Sequence, residues 1–213
     1  MSAVPVEPFH LALAGLRTRL REGSFPPGAR IAATEVAKAL NLSATPVREA
    51  LSRLAGEGLL EDRRGHGFYL RALSGPEIAD LFRMTLSQLL IAQDTHRAHA
   101  AARGGGGLPD PEELGIDPIV QVERLFADWI AEAGSRTLSV AFRTLQIQLG
   151  PARRAEPGLI RNLEAEAAEL ATLADADQAA ARGPTIRRFC LRRIALADRL
   201  AALAYHGSQS SQE

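Results

Sequence analysis

Residues 42–54 combine hydrogen-bonding and cationic side chains at helical spacing. Ser43 is a suitable N-cap for a helix, and Pro46 falls in the first turn, where its missing N–H costs nothing. Apolar residues recur on one face of this predicted helix, at Val47, Leu51 and Leu54. The residues of the opposite face are Thr45, Arg48 and Ser52. One face can therefore pack in a core while the other is free to contact a ligand.

The chemistry that this polar face could supply is recognition of duplex DNA. Short or donor-bearing side chains near the start of a helix reach base edges in the major groove, and cations bind phosphates. Arg48 can donate two hydrogen bonds to a guanine or bind a phosphate. Thr45 can hydrogen-bond a phosphate or contact a thymine methyl group. Arg53 adds a cation further along the same helix.

A predicted hairpin follows this helix. Two short strands at 59–62 and 67–70 are joined by a basic turn at 63–66. Such a tip would lie against the adjacent minor groove, where Arg63 or Arg64 would meet a strong negative potential. The pattern is typical of the wing of a winged helix-turn-helix.

Two further helices are predicted before residue 42. Apolar residues from Phe9 to Leu20 recur at helical spacing, and Thr34 is a plausible N-cap for a second helix that ends near Asn41. Residues 9–72 contain ten Lys or Arg against six Asp or Glu, although the whole chain has a net charge of +0. An ordinary hairpin with solvated arginines is the alternative, but the order of helices and basic hairpin favours DNA binding.

These residues resemble the DNA-binding domain of the GntR family of bacterial regulators. The matching segments are PGARI at 27–31, VAKAL at 36–40, SATPVREAL at 43–51, Leu54 with EGL at 57–59, and RG at 64–65. The resemblance implies that Arg48, Arg64 and Gly65 contact DNA. Ala44 stands where the family usually has a DNA-contacting arginine, and Thr34 where some members have one. The residues predicted to bind DNA are Thr34, Ser43, Ala44, Thr45, Pro46, Arg48, Arg53, Arg63, Arg64, Gly65 and His66.

From residue 73 onward only helical periodicity is found. A capping box at 74–77 begins a long helix, and further helices are predicted at 118–133, 137–149, 158–181 and 184–206, with Gly183-Pro184 as a break. We therefore predict a mainly α fold: a winged helix-turn-helix of three helices and a small β-hairpin at 9–72, and an all-helical bundle at 73–206 for effector binding and dimerisation. Residues 1–8 and 207–213 are expected to be disordered. The glycine run at 104–107 is interpreted as a flexible loop, because no strand precedes it and no Gly-Lys-Ser/Thr follows.

The helical part is similar to the FadR-like, FCD-type branch of the family. Many members of that branch hold a metal with an aspartate and three histidines, which implies positions at Glu123, at Ala127, near Glu166, and near Arg188 or Phe189. No histidine stands at these positions in this chain. We therefore predict that the metal site is lost and that there is no cofactor, because carboxylates without imidazoles would hold a transition metal poorly.

A small-molecule effector is expected in the helical part. Arg143 and Gln146 continue a polar stripe that could line a cavity for an anionic ligand or could face solvent. The candidate effector-binding residues are Glu123, Arg143, Gln146 and Glu166. Asp94, His96 and His99 are the other possible metal ligands, and a solvated surface pair of histidines is the more typical interpretation.

The function predicted from these patterns is transcription regulation, in which the protein acts either as a repressor or as an activator. A homodimer would bind a near-palindromic operator in double-stranded DNA, in the cytoplasm and at the nucleoid. No membrane-spanning stretch is found, and a single cysteine, Cys190, excludes an internal disulfide. An enzyme is not favoured, because no nucleophile motif or cofactor fingerprint is present. The alternative is a protein-binding adaptor that uses a winged helix without DNA, which the lost arginine at Ala44 favours.

Overall fold

The computed structural model describes residues 7–100, 117–173 and 179–206. Its helices are α1 (Pro8–Arg21), α2 (Ala33–Leu40), α3 (Ala44–Gly56), α4 (Gly75–Ala100), α5 (Pro118–Glu132), α6 (Arg136–Ala155), α7 (Leu163–Thr172), α8 (Ala179–Ala195) and α9 (Ala197–His206). Its strands are β1 (Arg30–Ile31), β2 (Leu60–Arg63) and β3 (Gly67–Leu70). The predicted fold class is confirmed. The glycine run at 104–107 and most of the predicted disordered termini lie outside the described residues.

The N-terminal helices enclose one apolar core. Leu16 of α1 and the α3 residues Val47, Leu51 and Leu54 are completely buried in it. The antiparallel sheet has the order β1-β3-β2, with Arg63 paired to Gly67 at the hairpin and Arg30 paired to Tyr69 on the other edge. This packing fixes the exposed face of α3 beside the hairpin, as a winged helix-turn-helix requires.

The helical part begins at the predicted capping box. The Ser74 N–H donates a hydrogen bond to Glu77 Oε2 at 2.8 Å, and the Ser74 hydroxyl donates to the same oxygen at 2.7 Å. Hydrogen bonds from Ser74 hold the pKa of Glu77 below its usual value. Further along, Phe126 and Phe189 meet edge to face with ring centroids 5.1 Å apart. Cys190 is fully buried beside them, and burial raises the pKa of its thiol to about 12.

Several predicted helix ends in this part are wrong. Helix α6 continues through Gly150-Pro151 to Ala155, and α8 continues through Gly183-Pro184. The single helix predicted at 158–181 is instead a 3-10 turn at Glu156–Gly158 followed by α7. The break in the last helical segment falls at Leu196, which separates α8 from α9. Within the described ranges, no helix is both long and apolar enough to cross a membrane.

The winged unit is docked on α6. A Cβ atom added at Gly150 would lie 2.5 Å from the carbonyl oxygen of Arg21, so the end of α1 approaches α6 at backbone distance. A second close contact lies between Gly23, just after α1, and the side chain of Arg154 on α6. A Cβ atom added at Gly23 would lie 2.9 Å from the Cγ atom of Arg154. Ile147 of α6 belongs to the apolar core of the winged unit. The two units therefore share packed surface along one helix.

Candidate nucleic-acid interface

Helix α3 begins with exposed polar groups. Ser43 occupies the N-cap position in an extended conformation, with φ −77° and ψ 161°, as predicted. Contrary to the expectation that Ser43 caps α3, its side chain makes no capping hydrogen bond in the described part of the chain. Its hydroxyl and the first N–H groups of α3 are thus available to an anion such as a phosphate.

The exposed face of α3 contains the predicted base-reading residues. Thr45, Arg48 and Ser52 are exposed, directly opposite the buried stripe. Arg48 forms no ion pair with any residue that the structure describes, so its guanidinium is available for a base or a phosphate. Ala44 and Pro46 are half-buried, and Ala44 packs against the core. These two residues can offer only part of their surface to a ligand.

Arg53 lies in a different electrostatic setting, at the end of α3. Its Nε donates to Glu57 Oε1 at 2.8 Å, and Arg17 of α1 donates to both oxygens of the same carboxylate at 2.9 Å and 2.7 Å. Burial acts to raise the pKa of Glu57, but the hydrogen bonds from Arg17 and Arg53 outweigh it and lower the pKa. Arg53 therefore takes part in an ion-pair clamp between α1 and α3.

The wing presents one cation at its tip. Arg63 is held against the sheet, because it pairs with Glu61 at 2.8 Å and lies over the ring of Tyr69 at 4.1 Å. Arg64, Gly65 and His66 form the exposed turn, and the positive φ of 76° at Gly65 suits a residue without a side chain. Arg64 has no carboxylate partner among the described residues, so it is the wing cation best placed for DNA.

A concave surface joins the start of α2, α3 and the base of the wing. It is lined by Thr34, Arg48 and Gly67 together with Arg30, which is not among the residues predicted to bind DNA. Arg30 is exposed on β1 and packs over Gly67, with its Nε 3.4 Å from the position of a Cβ there. The sequence feature that could have pointed to Arg30 is its place in the PGARI segment at 27–31. Thr34 was predicted to be the N-cap of α2, but Ala32 occupies that position. Thr34 instead lies exposed in the first turn of α2.

Comparison with known proteins identifies this part of the chain. Residues 12–70 match the model of the bacterial regulatory proteins of the gntR family. The N-terminal unit is a GntR-family helix-turn-helix domain. An HTH-type transcriptional regulator of Agrobacterium vitis is 36% identical over 72 residues, which cover 34% of this chain and 42% of that protein. The Nta operon transcriptional regulator of Aminobacter aminovorans is 43% identical over 60 residues, or 28% of this chain and 29% of that protein. The matched stretches span less than half the length of these two relatives, both of which are named as transcriptional regulators.

Solved structures share the fold over nearly the whole chain. McbR/YncC of E. coli superposes with a TM-score of 0.65 at 18% identity and covers 95% of this chain and 99% of that chain. A GntR transcriptional regulator of Rhodococcus sp. RHA1 gives a TM-score of 0.61 at 15% identity, over 89% of this chain and 96% of that one. The helical part therefore shares the fold of these two proteins as well.

Three of the four candidate effector residues lie together. Glu123, Arg143 and Gln146 line a cavity of about 280 Å³ between α5 and α6, which Ser139 and Arg21 also line. Glu123 is buried and accepts hydrogen bonds from Arg154 at 2.9 Å and 3.0 Å. Burial raises the pKa of Glu123, although Arg153 and Arg154 act in the opposite direction.

Glu166 lies apart from this cavity, in a buried ion-pair cluster. It accepts a hydrogen bond from Arg193 Nη2 at 2.6 Å, and Arg193 also donates to Glu156 at 3.0 Å and 2.7 Å. Arg153 lies 2.9 Å from the same Glu156 carboxylate, and Arg153 and Arg193 are each only 1% exposed. Glu166 therefore does not line the cavity that holds the other three candidates, because Arg193 binds it elsewhere in the bundle.

The residues at the implied metal position do not fit a metal ion. The buried guanidiniums of Arg153 and Arg193 already neutralise the carboxylates of Glu156 and Glu166. Arg193 also lies over the ring of Phe189, at 3.4 Å from its centroid. Within the ranges that the structure covers, no group of three His, Cys, Asp or Glu residues could hold a metal ion. Asp94 is exposed, and the side chains of His96 and His99 lie outside the described residues.

Proposed function

We propose that this chain is a transcriptional regulator that places α3 in the major groove of DNA and the wing in the adjacent minor groove. The observation that carries the proposal is the exposed face of α3, where Thr45 and Arg48 lie directly after an uncapped helix start. This is the arrangement by which recognition helices contact base edges and phosphates.

The distribution of ion pairs supports this assignment. Arg17, Arg53 and Arg63 have carboxylate partners. Arg30, Arg48 and Arg64 have none among the described residues. Arg30 and Arg48 line the concave surface and Arg64 is exposed at the wing tip; together these form what we call the α2–α3–wing surface. Cations without partners on one surface favour an external polyanion, because binding DNA then breaks no internal pair.

We further propose a homodimer that binds a near-palindromic operator. The exposed apolar residues Met84 and Ile91 are seven residues apart on α4, and Leu191 is exposed on α8, which packs against α4. Residues seven apart on a helix share one face, so α4 offers an apolar stripe to a second copy. Two recognition helices related by a two-fold axis require an operator with matching symmetry.

A protein-binding adaptor is the second candidate function. Ala44 favours it, because a half-buried alanine donates no hydrogen bond to a base at a position near the start of α3. An adaptor would retain the winged fold without enriching a DNA sequence.

The test is a selection of bound duplexes from a random pool, with purified full-length chain, at two salt concentrations. We expect recovery of a short near-palindrome, with weaker recovery at the higher salt concentration. A pool without enrichment at either salt concentration would contradict the regulator and favour the adaptor.

A further inference from the structure

We propose that the joint between the winged unit and the helical unit contains a binding site for an uncharged, apolar molecule of about the size of naphthalene. The site is a cavity of about 270 Å³ whose walls come from both units and from the linker between them. It is separate from the cavity between α5 and α6, with which it shares no lining residue. The regulatory consequence rests on the proposed function, whereas the site itself can be tested without DNA.

The walls of this joint cavity are apolar side chains from three parts of the chain. Leu59 and Leu70 belong to the winged unit, Leu73 to the linker, and Ile147 and Tyr205 to α6 and α9 of the helical unit. Leu59 and Ile147 are only 4% and 6% exposed, so the cavity lies within the packed joint. Tyr205 is 45% exposed and marks the side on which the cavity opens to solvent. A small molecule therefore has a way into an apolar interior.

The volume of the joint cavity indicates the size of the ligand. Protein interiors contain few voids larger than a water molecule, and the atoms that line an apolar void lose dispersion contacts. An apolar cavity of about 150 Å³ holds one benzene molecule. The 270 Å³ of the joint cavity therefore suits an apolar molecule with a pair of fused rings, such as a naphthalene or an indole.

The polar groups of the lining favour an uncharged ligand. Arg71 is the only charged residue among the described residues that line the cavity, and its guanidinium donates to Glu77 Oε1 at 2.9 Å. An ionised ligand would lose its hydration without gaining an oppositely charged partner, which is costly in an apolar site. Gln148 is a half-buried polar side chain of the lining, and its amide can hydrogen-bond a hydroxyl or N–H group of the ligand.

A ligand in the joint cavity would contact both units at once. Helix α9 approaches the winged unit here, where the Cε2 atom of Tyr205 lies 3.8 Å from the position of a Cβ at Gly28. On α6 the units already meet at backbone distance through Gly150, so the joint is tight at one point and hollow at another. The contacts of the ligand exist only while the units are docked in this arrangement. Binding would therefore favour this arrangement over others, and with it one placement of the recognition helix.

The first experiment measures the binding of β-naphthol to the full-length protein in the absence of DNA. This probe is uncharged at neutral pH, and its fluorescence anisotropy rises when it binds. We expect saturable binding of one molecule per chain. The charged analogue β-naphthoate, which has the same rings and a carboxylate, should bind about tenfold more weakly or worse.

Spectra of the ¹⁵N-labelled protein locate the bound probe. The backbone N–H signals of Leu59, Leu73 and Tyr205 should shift together as β-naphthol is added, because these residues represent the three parts of the wall. Binding that does not saturate, equal or tighter binding of β-naphthoate, or the absence of these shifts would overturn the proposal.

Cavity-filling variants test the site independently. Ala201→Leu and Ala204→Leu add methyl groups from α9 and should each weaken β-naphthol binding about tenfold or more. Ala168→Leu is the control and should bind as the wild type does, since Ala168 is exposed on α7 and does not line the cavity. Thermal unfolding confirms that each variant is folded, and the shifts of the wild type decide the matter if the filling variants do not fold. Wild-type affinity in a folded filling variant, or an equal loss in Ala168→Leu, would overturn the proposal.

The second experiment tests the coupling to DNA. Saturating β-naphthol should change the affinity of the wild type for the selected duplex by about fivefold or more, and should leave that of Ala201→Leu unchanged. Unaltered DNA affinity in the wild type would overturn the coupling. If the chain bound no DNA at all, the proposed function would fail, while the titration without DNA would still decide whether the apolar site exists.

Discussion

At the scale of single residues, Arg48 has the clearest role in the proposed interface. Its replacement by alanine should cost about 1 to 3 kcal/mol of binding free energy on the selected operator, if it reads a base. Fluorescence anisotropy with labelled duplex measures this loss. Arg53→Ala is the matched control on the same helix, and it should cost less because Glu57 already neutralises Arg53. Unchanged affinity of Arg48→Ala at low salt would refute the assignment.

The exposure of individual side chains was predicted correctly where it follows from local spacing. Thr45 and Arg48 have the predicted exposure, because the apolar stripe of α3 dictates which face is buried. The place of Arg30 beside α3 and the ion-pair partner of Glu166 were not foreseen, because both depend on residues far away in the chain. Arg30 reaches the site through sheet pairing with Tyr69, and Glu166 is bound by an arginine 27 residues later. Spacing within a helix holds no information on such partners.

At the scale of secondary-structure elements, the contact between α1 and α6 depends on Gly150. Gly150→Ala should lower the free energy of unfolding by about 1 to 3 kcal/mol, because the new Cβ would overlap backbone atoms of α1. This loss exceeds the gain of roughly 0.5–1 kcal/mol expected from replacing a helical glycine by alanine. Urea unfolding followed by circular dichroism gives the difference.

The control for this substitution is Gly56→Ala, at the end of α3. A Cβ at Gly56 meets nothing within 4 Å, so this variant should be as stable as the wild type or slightly more stable. Equal stability of Gly150→Ala and Gly56→Ala would show that α1 does not pack against α6 at backbone distance.

The clamp of Arg17, Glu57 and Arg53 between α1 and α3 should make stability depend on pH. Because the folded-state pKa of Glu57 is lowered, its contribution is complete above the ordinary value of 4.5 and is lost as the pH falls through the folded-state pKa. Glu57→Gln should therefore be about 1 kcal/mol less stable than the wild type at neutral pH. Thermal unfolding across the pH range should show the two proteins converging in acid. A difference that persists or grows in acid would argue against the clamp.

The element boundaries show where sequence patterns succeed and where packing overrides them. The capping box at Ser74 was predicted, because its hydrogen bonds are local. The Gly-Pro pairs at 150–151 and 183–184 suggest helix ends, yet both lie inside helices. In each case the glycine lets another helix approach: Gly150 contacts α1, and Gly183 lies near Gln93 of α4. The tertiary packing outweighs the cost of an internal proline.

At the scale of the whole molecule, the change in periodicity near residue 73 predicted a winged unit followed by a helical unit. The docking of one unit on the other was not evident. It depends on Gly23, Gly150 and Ile147, which are distant in sequence and have no pattern in common. The loss of the metal site stays a prediction from the missing histidines, and the buried arginines Arg153 and Arg193 in that part of the bundle were not foreseen.

The proposed homodimer gives a test at this scale. Ile91→Glu places a charge on the apolar stripe of α4 and should convert the dimer to a monomer, because an unpaired buried carboxylate is costly. Sedimentation velocity measures the change. Val140→Glu, at a similarly exposed apolar position on α6, is the control and should remain dimeric. A monomeric wild type at micromolar concentration would contradict the proposed dimer.

The central claim, that the α2–α3–wing surface binds DNA through unpaired cations, is tested most directly by the salt dependence of affinity. The logarithm of the association constant for the selected duplex should fall linearly with the logarithm of salt concentration. Arg64→Ala should reduce the magnitude of that slope by about 1, since it removes one phosphate contact. An affinity that does not vary with salt would contradict the claim. So would a slope that is the same as that of the wild type in all three variants, Arg30→Ala, Arg48→Ala and Arg64→Ala.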